Sequence, residues 1–200
     1  MKAWSLVFGL FVAGCSSTTP PTAATVASNA STLVDQRNAE AMAELKAYFF
    51  DAARTGDNVM LEKYVTSGFP VDVRTPQGYT ALILAAYHGQ KDTVQKLIQL
   101  GADPCARDNR GSTALMGATF KGELSIAKLL LDQSCSKVDD RNRQGQTAAM
   151  YAALAGNSQL IEMLRKRGAN LDLKDDVGNT AASLAHQQGA DDIARQIENK

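Results

Sequence analysis

Apolar positions along the chain recur with helical spacing in short stretches that end at glycine. The stretch TALILAAYHG, residues 80–89, is dominated by alanine and aliphatic side chains, which suits a short helix packed closely on both sides. The stretch DTVQKLIQLG places Val94, Leu97 and Ile98 on one stripe, with Gln and Lys side chains opposite. The polar segment ADPCARDNRG follows and is typical of a turn or short hairpin. The pattern predicts a unit of two antiparallel helices and a turn.

The same unit recurs at a fixed period. The tetrapeptide Gly-x-Thr-Ala begins at positions 78, 111, 145 and 178, so the steps are 33, 34 and 33 residues, and the longer step contains one extra residue at Lys137. A helix pair cannot bury its apolar face alone, whereas stacked pairs share one continuous core. The sequence therefore predicts an all-α solenoid of about five helix-pair repeats with short hairpin connections. This domain is expected over residues 35–200, with repeats at about 42–74, 75–107, 108–141, 142–174 and 175–200.

The repeated motifs resemble those of ankyrin repeats. GYTALILAAYHG and LIQLGAD match the family pattern of Gly-x-Thr-Pro-Leu-His, Leu-Ala-Ala-x-x-Gly and Gly-Ala-Asp, and the resemblance extends over about residues 40–200. The family's proline is alanine in every repeat here. Its histidine, which by resemblance ties neighbouring turns together, is replaced by Ile83, Met116, Met150 and Ser183. We therefore expect the same fold with looser loops.

The two ends of the array differ from its middle, as capping repeats should. The first helix pair lacks a preceding Gly-x-Thr turn and carries an aromatic cluster of Tyr48, Phe49 and Phe50. This cluster is expected to close the core, or in part to face a partner. The second helix of the last repeat is polar, which suits a face exposed to solvent.

The chain begins with a short leader. A positive charge precedes an apolar run from Leu6 to Val12, which is shorter than the roughly 20 residues of a bilayer-spanning helix and indicates a secretory signal over residues 1–14. Val-Ala-Gly-Cys resembles the lipobox of bacterial lipoproteins, which implies cleavage before Cys15 and acylation of that cysteine. The alternative is an ordinary signal peptide with a chance cysteine. Because Ser16 follows instead of aspartate, the resemblance implies the outer membrane, with the protein facing the periplasm.

Residues 15–34 join the leader to the array. The stretch SSTTPPTAATVASNAST, residues 16–32, has no charge and few large apolar side chains. It offers too little apolar area to offset the entropy lost when a chain becomes ordered. The segment is therefore predicted to be a flexible tether that holds the array a short distance from the membrane.

Charge and motif content disfavour several function classes. Loss of residues 1–14 leaves 21 acidic side chains and 20 basic ones. This near-neutral net charge disfavours a nucleic-acid-binding function. His88 and His186 are nearly three repeats apart, so a shared metal site is not expected. The sequence lacks Gly-x-Ser-x-Gly, His-Glu-x-x-His, phosphate-loop and Cys-x-x-Cys motifs. We therefore expect no enzyme activity, no metal and no cofactor.

Two cysteines remain after Cys15. Cys105 lies in the turn after the helices of one repeat, and Cys135 lies just after the second helix of the next repeat. A disulfide requires Cα atoms within roughly 7 Å of each other, which adjacent repeats permit. The alternative is two separate thiols that are partly buried as small apolar residues.

By resemblance, ankyrin arrays bind proteins through hairpin tips and the exposed side of each first helix. Tyrosine and arginine dominate interface hot spots, and both occur at such positions here. The cationic hairpins would suit an acidic loop on a partner. The alternative is a set of solvated arginines that Asp108 and Asp140 offset. The predicted partner-binding residues are Tyr79, Tyr87, His88, Arg107, Arg110, Phe120, Lys121, Arg141, Arg143 and Gln146.

These features predict a protein-interaction module tethered to a bacterial membrane by an N-terminal lipid, which binds an envelope or periplasmic protein through the concave face of the array. A second hypothesis is an immunity protein that neutralises an antibacterial toxin such as a secreted lipase or phospholipase. A third is support of a periplasmic stress enzyme, and a fourth is a redox factor that uses Cys105 and Cys135. A capped array is expected to be a monomer.

Overall fold

The structure, a computed structural model, describes the backbone of residues 23–199 and the side chains from residue 35 onward. The predicted leader and Cys15 lie outside the described residues. The described residues from Met42 onward form one compact unit. The described residues form ten helices, namely α1 (Ala23–Thr55), α2 (Asn58–Thr66), α3 (Ala81–Tyr87), α4 (Lys91–Gln99), α5 (Ala114–Lys121), α6 (Leu124–Leu131), α7 (Ala148–Leu154), α8 (Ser158–Lys166), α9 (Ala181–Gln187) and α10 (Asp191–Glu198).

Successive helices form five pairs, which confirms the predicted all-α repeat fold. Over residues 23–199 no strand accompanies these helices, and a single antiparallel bridge between Arg107 and Thr113 marks the base of one hairpin. None of the ten helices combines the length and the apolar character that crossing a bilayer requires.

Helix α1 begins earlier than the sequence predicts. Its first residue, Ala23, falls within the range 15–34 that was assigned to a flexible tether. The part of that range from residue 23 onward is rich in alanine, the best helix former, and contains neither glycine nor proline. A low apolar content opposes burial but does not oppose helix formation, which explains the difference. The predicted tether residues 15–22 lie outside the described part of the chain.

The Gly-x-Thr-Ala motif is a helix start. Its threonine side chain accepts a hydrogen bond from the backbone N–H three residues later, and so satisfies a donor that the first turn of a helix leaves unpaired. Thr80 accepts from Ile83 at 3.3 Å, and Thr113 accepts from Met116 at 3.4 Å. The same cap begins α7 and α9. The motif therefore fixes where the first helix of each of these repeats begins.

The core of the array lies between the first helices of successive repeats. Helices α3, α5, α7 and α9 contact one another in order, and each packs against the second helix of its own repeat. Helix α3 is buried from Ala81 to Ala86, whereas α4 buries only a stripe that contains Val94 and Leu97. Small alanine side chains let the first helices approach closely, as the composition of these stretches predicts.

Aromatic side chains close the N-terminal end of this core. The fully buried ring of Phe49 lies 5.0 Å from the ring of Phe69 and 5.7 Å from the ring of Tyr64. Phe50 is also buried, but Tyr48 is 57% exposed. Phe49 and Phe50 therefore close the core, whereas Tyr48 lies on the surface.

Hydrogen bonds between backbones hold neighbouring hairpins in register. The N–H of Asn109 donates to the carbonyl of Gln77 at 3.0 Å, and the N–H of Arg143 donates to the carbonyl of Arg110 at 2.8 Å. The approach is close, because a Cβ atom at Gly78 would lie 2.4 Å from Asn109 Oδ1. Gly78 also has a φ of 83°, which favours glycine. Adjacent hairpins are thus joined directly although the family's histidine is absent.

One junction carries a covalent bond where its neighbours carry a hydrogen bond. The carboxylate of Asp72 accepts a hydrogen bond from the N–H of Asp103 in the next repeat, and Asp139 makes the same bond to the repeat that follows it. Cys105 stands at the register position of these aspartates in the repeat between them. It forms a disulfide with Cys135, and the two Cα atoms are 6.2 Å apart.

Candidate functional site

A groove of about 630 Å³ runs across three successive repeats. The exposed sides of helices α3, α5 and α7 form its floor, and residues of the preceding hairpins form its rim. Helices α3 and α5 expose Tyr87 and Phe120 here near their C-terminal ends, because most of their other residues are buried in the stack. Six of the ten residues predicted to bind a partner line the groove, namely Tyr79, Tyr87, His88, Arg110, Phe120 and Gln146.

Three aromatic rings follow one another along the groove. The rings of Tyr87 and Phe120 are stacked with centroids 6.4 Å apart, and Phe120 meets Tyr151 edge to face at 6.0 Å. Tyr87 is 39% exposed and Phe120 is 43% exposed. Large apolar side chains exposed in a contiguous row are a feature of interaction sites. Lys121 lies beside the row, with Nζ 5.1 Å from the centroid of the Tyr87 ring.

Tyr151 is a groove residue that the sequence analysis does not include. It lies one helical turn before Leu154, which stands at the register position of Tyr87 and Phe120. Its hydroxyl donates to Oε1 of Gln146 at 2.9 Å and accepts from Nδ2 of Asn142 at 3.1 Å. The signal in the sequence is this aromatic residue at a spacing of three from the expected position, on the same side of the helix.

Three arginines, which we call the ladder arginines, connect successive hairpins by hydrogen bonds to backbone carbonyls. Arg74 donates to the carbonyl of Arg107 at 2.6 Å, and Arg107 donates to the carbonyl of Arg141 at 3.0 Å. Arg141 in turn donates to the carbonyl of Lys174. Each also donates to a carbonyl of its own hairpin. Arg107 and Arg141, predicted to bind a partner, therefore have their guanidinium groups bound to backbone carbonyls of the array itself.

Two further arginines, which we call the tip arginines, are exposed at the ends of neighbouring hairpins. They are Arg110 and Arg143, and their backbones are directly joined. Within residues 23–199 neither guanidinium group makes a hydrogen bond or an ion pair. The tip arginines thus retain their full hydrogen-bonding capacity for a carboxylate on another molecule.

Asp108 and Asp140, which the sequence suggests as counter-charges for the arginines, do not pair with the tip arginines. Asp108 is buried, and its carboxylate accepts hydrogen bonds from the N–H groups of Arg110 and Ser112, both at 2.8 Å. Asp140 pairs with the ladder residue Arg107 at 2.9 Å. Neither carboxylate forms an ion pair with a tip arginine. The rim of the groove is therefore cationic at Arg110.

The disulfide restricts what its neighbourhood can bind. The carboxylate of Asp103 and the sulfur atoms of Cys105 and Cys135 lie within 4.8 Å of one another. Metal ions are held by thiolates, and these sulfur atoms are bonded to each other. The arrangement in this structure is consequently a structural link between repeats.

The last repeat contains the other notable titratable cluster. His186 Nδ1 lies 2.7 Å from a carboxylate oxygen of Asp191, and His186 Nε2 lies 3.6 Å from Glu198. The hydrogen bond to Asp191, with the nearby negative charges, raises the pKa of His186 above its usual 6.5. This cluster joins α9 to α10 and is not part of the groove lining.

Family comparisons identify the repeats. The description "Ankyrin repeats (3 copies)" matches residues 49–142, and "Ankyrin repeats (many copies)" matches residues 130–185. Together the two matches run from the first repeat to the start of the last helix pair.

Similar proteins come from distant organisms. The chain is 27% identical to the putative ankyrin repeat protein YahD of Escherichia coli (strain K12), over 76% of this chain and 95% of that protein. It is 30% identical to a putative ankyrin repeat-containing protein of Treponema pallidum (strain Nichols), over 68% of this chain and 46% of that protein. It is 28% identical to the inactive serine/threonine-protein kinase TEX14 of Bos taurus, over 78% of this chain, and the chain spans about a tenth of TEX14.

Proposed function

Because this chain is an ankyrin-repeat protein, we propose that it is a binding module of the bacterial cell envelope, tethered by lipid at Cys15. Ankyrin repeats indicate a protein–protein interaction module. The observation that carries the proposal is the groove, in which the exposed rings of Tyr87 and Phe120 lie beside the unpaired guanidinium of Arg110. Aromatic and arginine side chains of this kind contribute most of the binding energy at protein interfaces. The proposal gives the chain no catalytic reaction.

Export from the cytoplasm is supported by two independent features. The first is the leader with its Val-Ala-Gly-Cys sequence. The second is the disulfide between Cys105 and Cys135, since such bonds persist in oxidising compartments and are rare in the cytosol. The lipid is tested with Cys15→Ser. This variant should incorporate no labelled fatty acid and accumulate as the uncleaved precursor, and normal processing would contradict the lipobox.

The partner is sought by affinity capture from envelope fractions. The tip arginines are reversed in charge with Arg110→Glu and Arg143→Glu. A matched control reverses two exposed lysines on second helices, Lys63→Glu and Lys128→Glu, which leaves the same net charge. We expect the tip variant to lose the captured protein and the control to retain it, with both melting temperatures unchanged. Equal capture by the two variants would contradict the proposed site.

The captured protein decides between the proposed roles. A resident envelope protein supports a module that holds or positions that protein. A toxin encoded beside this gene, together with self-killing when this gene is deleted, would replace that role with immunity. A periplasmic stress enzyme would assign the module to support of that enzyme.

A further inference from the structure

Gly117 lies in the middle of a helix, where its backbone conformation does not require glycine. It lies inside α5, and it is not among the glycines with positive φ. Glycine at a helix interior costs about 1 kcal/mol relative to alanine. The three other repeats that begin with Gly-x-Thr-Ala carry Leu84, Tyr151 and Leu184 at the same register position. The floor of the groove therefore lacks one large side chain at its centre.

The space left at Gly117 stays open. A Cβ atom at Gly117 would contact only the Tyr87 side chain, at 3.8 and 3.9 Å, so the neighbours have not closed over the gap. Tyr87, Phe120 and Tyr151 line the groove around it. We call this space the Gly117 notch. Its aromatic surroundings favour an apolar ligand group, since burial of an aromatic side chain gains both contact area and ring–ring interactions.

The charges around the notch indicate which chemical group of the ligand should lie next to its apolar group. Arg110 lines the same groove, and Lys121 lies over the Tyr87 ring. The carboxylate of Asp108, the acidic residue in the groove lining, is occupied by backbone N–H groups. A carboxylate next to an apolar anchor would therefore meet a cation without competition from a neighbouring acid.

We propose that the Gly117 notch receives an aromatic side chain from a short acidic segment of the partner, and that Arg110 binds a carboxylate adjacent to that side chain. The inference rests on the proposed function, because it names the kind of partner segment that the same groove binds. Since the notch is particular to one repeat, it also fixes where along the array the segment is anchored.

The test measures fluorescence anisotropy of labelled peptides with the full chain. The probe is Gly-Glu-Asp-Phe-Glu-Asp-Gly, and two comparison peptides replace its Phe with Ala or its four acidic residues with Lys. We expect the Phe probe to bind at least about tenfold more tightly than the Ala peptide. The Lys peptide should bind more weakly than either.

Variants at the notch provide the matched controls. Gly117→Leu, which copies the residue found in two other repeats, should fill the notch and weaken binding of the Phe probe about tenfold. Gly117→Ala should leave binding within about threefold, because a methyl group fits at ordinary contact distance. Binding of the Ala peptide should be the same for all three proteins, since it places no ring in the notch.

The outcomes separate this inference from the proposed function. If the Phe and Ala peptides bind equally, or if Gly117→Leu binds the Phe probe unchanged, the notch is not an anchor site. The cationic groove then remains supported as a binding site if Arg110→Gln weakens the binding of both acidic peptides. No binding of any peptide would overturn the inference, whereas capture of an envelope protein that depends on the tip arginines would continue to support the function. Conversely, the expected peptide results without any such capture would retain the notch and remove the envelope role.

Discussion

Arg141 and Arg143 lie on the same hairpin, two residues apart, and are used in opposite ways. The guanidinium group of Arg141 donates to a carbonyl of its own hairpin at 2.9 Å and to the carbonyl of Lys174 in the next. The guanidinium group of Arg143 has no such partner within residues 23–199. The same contrast separates Arg107 from Arg110 one repeat earlier. The use of an arginine here depends on whether its position faces a carbonyl of the following repeat.

The largest expected effect comes from the junction at which the tip arginines also meet. Cys105→Ser with Cys135→Ser should lower the free energy of unfolding by about 3–4 kcal/mol, because the disulfide spans 30 residues and restricts the unfolded chain. Urea denaturation measures the loss. Asp139→Ala, at the equivalent position of the next repeat, removes only a hydrogen bond and should cost about 1 kcal/mol. Equal losses in the two variants would contradict the distinction between the junctions.

A direct test of the two arginine roles substitutes one residue of each kind on the same hairpin. Arg141→Met should lower the free energy of unfolding by about 1–2 kcal/mol, because two carbonyl groups lose a charged donor. Arg143→Met should change it by about 0.5 kcal/mol or less, as for other exposed side chains. Both values come from the same urea titration. A larger loss at Arg143 would reverse the assignment.

The last repeat separates the two hydrogen bonds of a ladder arginine, because it has Lys174 at the ladder position. Lys174→Arg provides a guanidinium group for the carbonyl of Gly178 in its own hairpin, but no hairpin of a further repeat follows within the described residues. We expect a gain of about 0.5 kcal/mol, the contribution of one exposed hydrogen bond. A gain as large as the loss in Arg141→Met would show that the bond between repeats adds nothing to the ladder.

The smallest effect is a pH dependence at His186, where a side-chain cluster joins the final helices. The pKa of His186 is raised in the folded protein, so its stabilisation is complete below about pH 6.5 and is lost as the pH rises through the folded value. The melting temperature should therefore fall slightly between about pH 6 and about pH 8. His186→Gln should remove that part of the change. An identical pH profile for the variant would exclude His186 as its source.

Much of the fold was readable from periodicity because the repeat motif has a local physical meaning. The threonine of Gly-x-Thr-Ala caps the helix that it precedes, so four copies of the motif fix the beginnings of four helices. The start of α1 was not readable in this way, since an alanine-rich polar stretch has the composition of both a tether and an exposed helix.

The candidate site was predicted in part. Exposed aromatic residues at the same register position, Tyr87 and Phe120, were found because first helices in such repeats leave one side uncovered. The roles of Arg107 and Arg141 depend on carbonyl groups 33 or 34 residues further along the chain, which composition does not reveal. Arginine recurs at 74, 107 and 141 with the period of the repeat. This recurrence was the available signal of a structural role, because binding residues need not repeat with the period of the fold.

The disulfide has a mechanical consequence for an array in which each repeat contacts only its neighbours. Such a stack is able to peel from its ends, one repeat at a time. The covalent bond lies between the two repeats whose helices carry Tyr87 and Phe120. The bond keeps Cys105 and Cys135 adjacent even when the outermost repeats are open, so these two repeats stay linked during such opening.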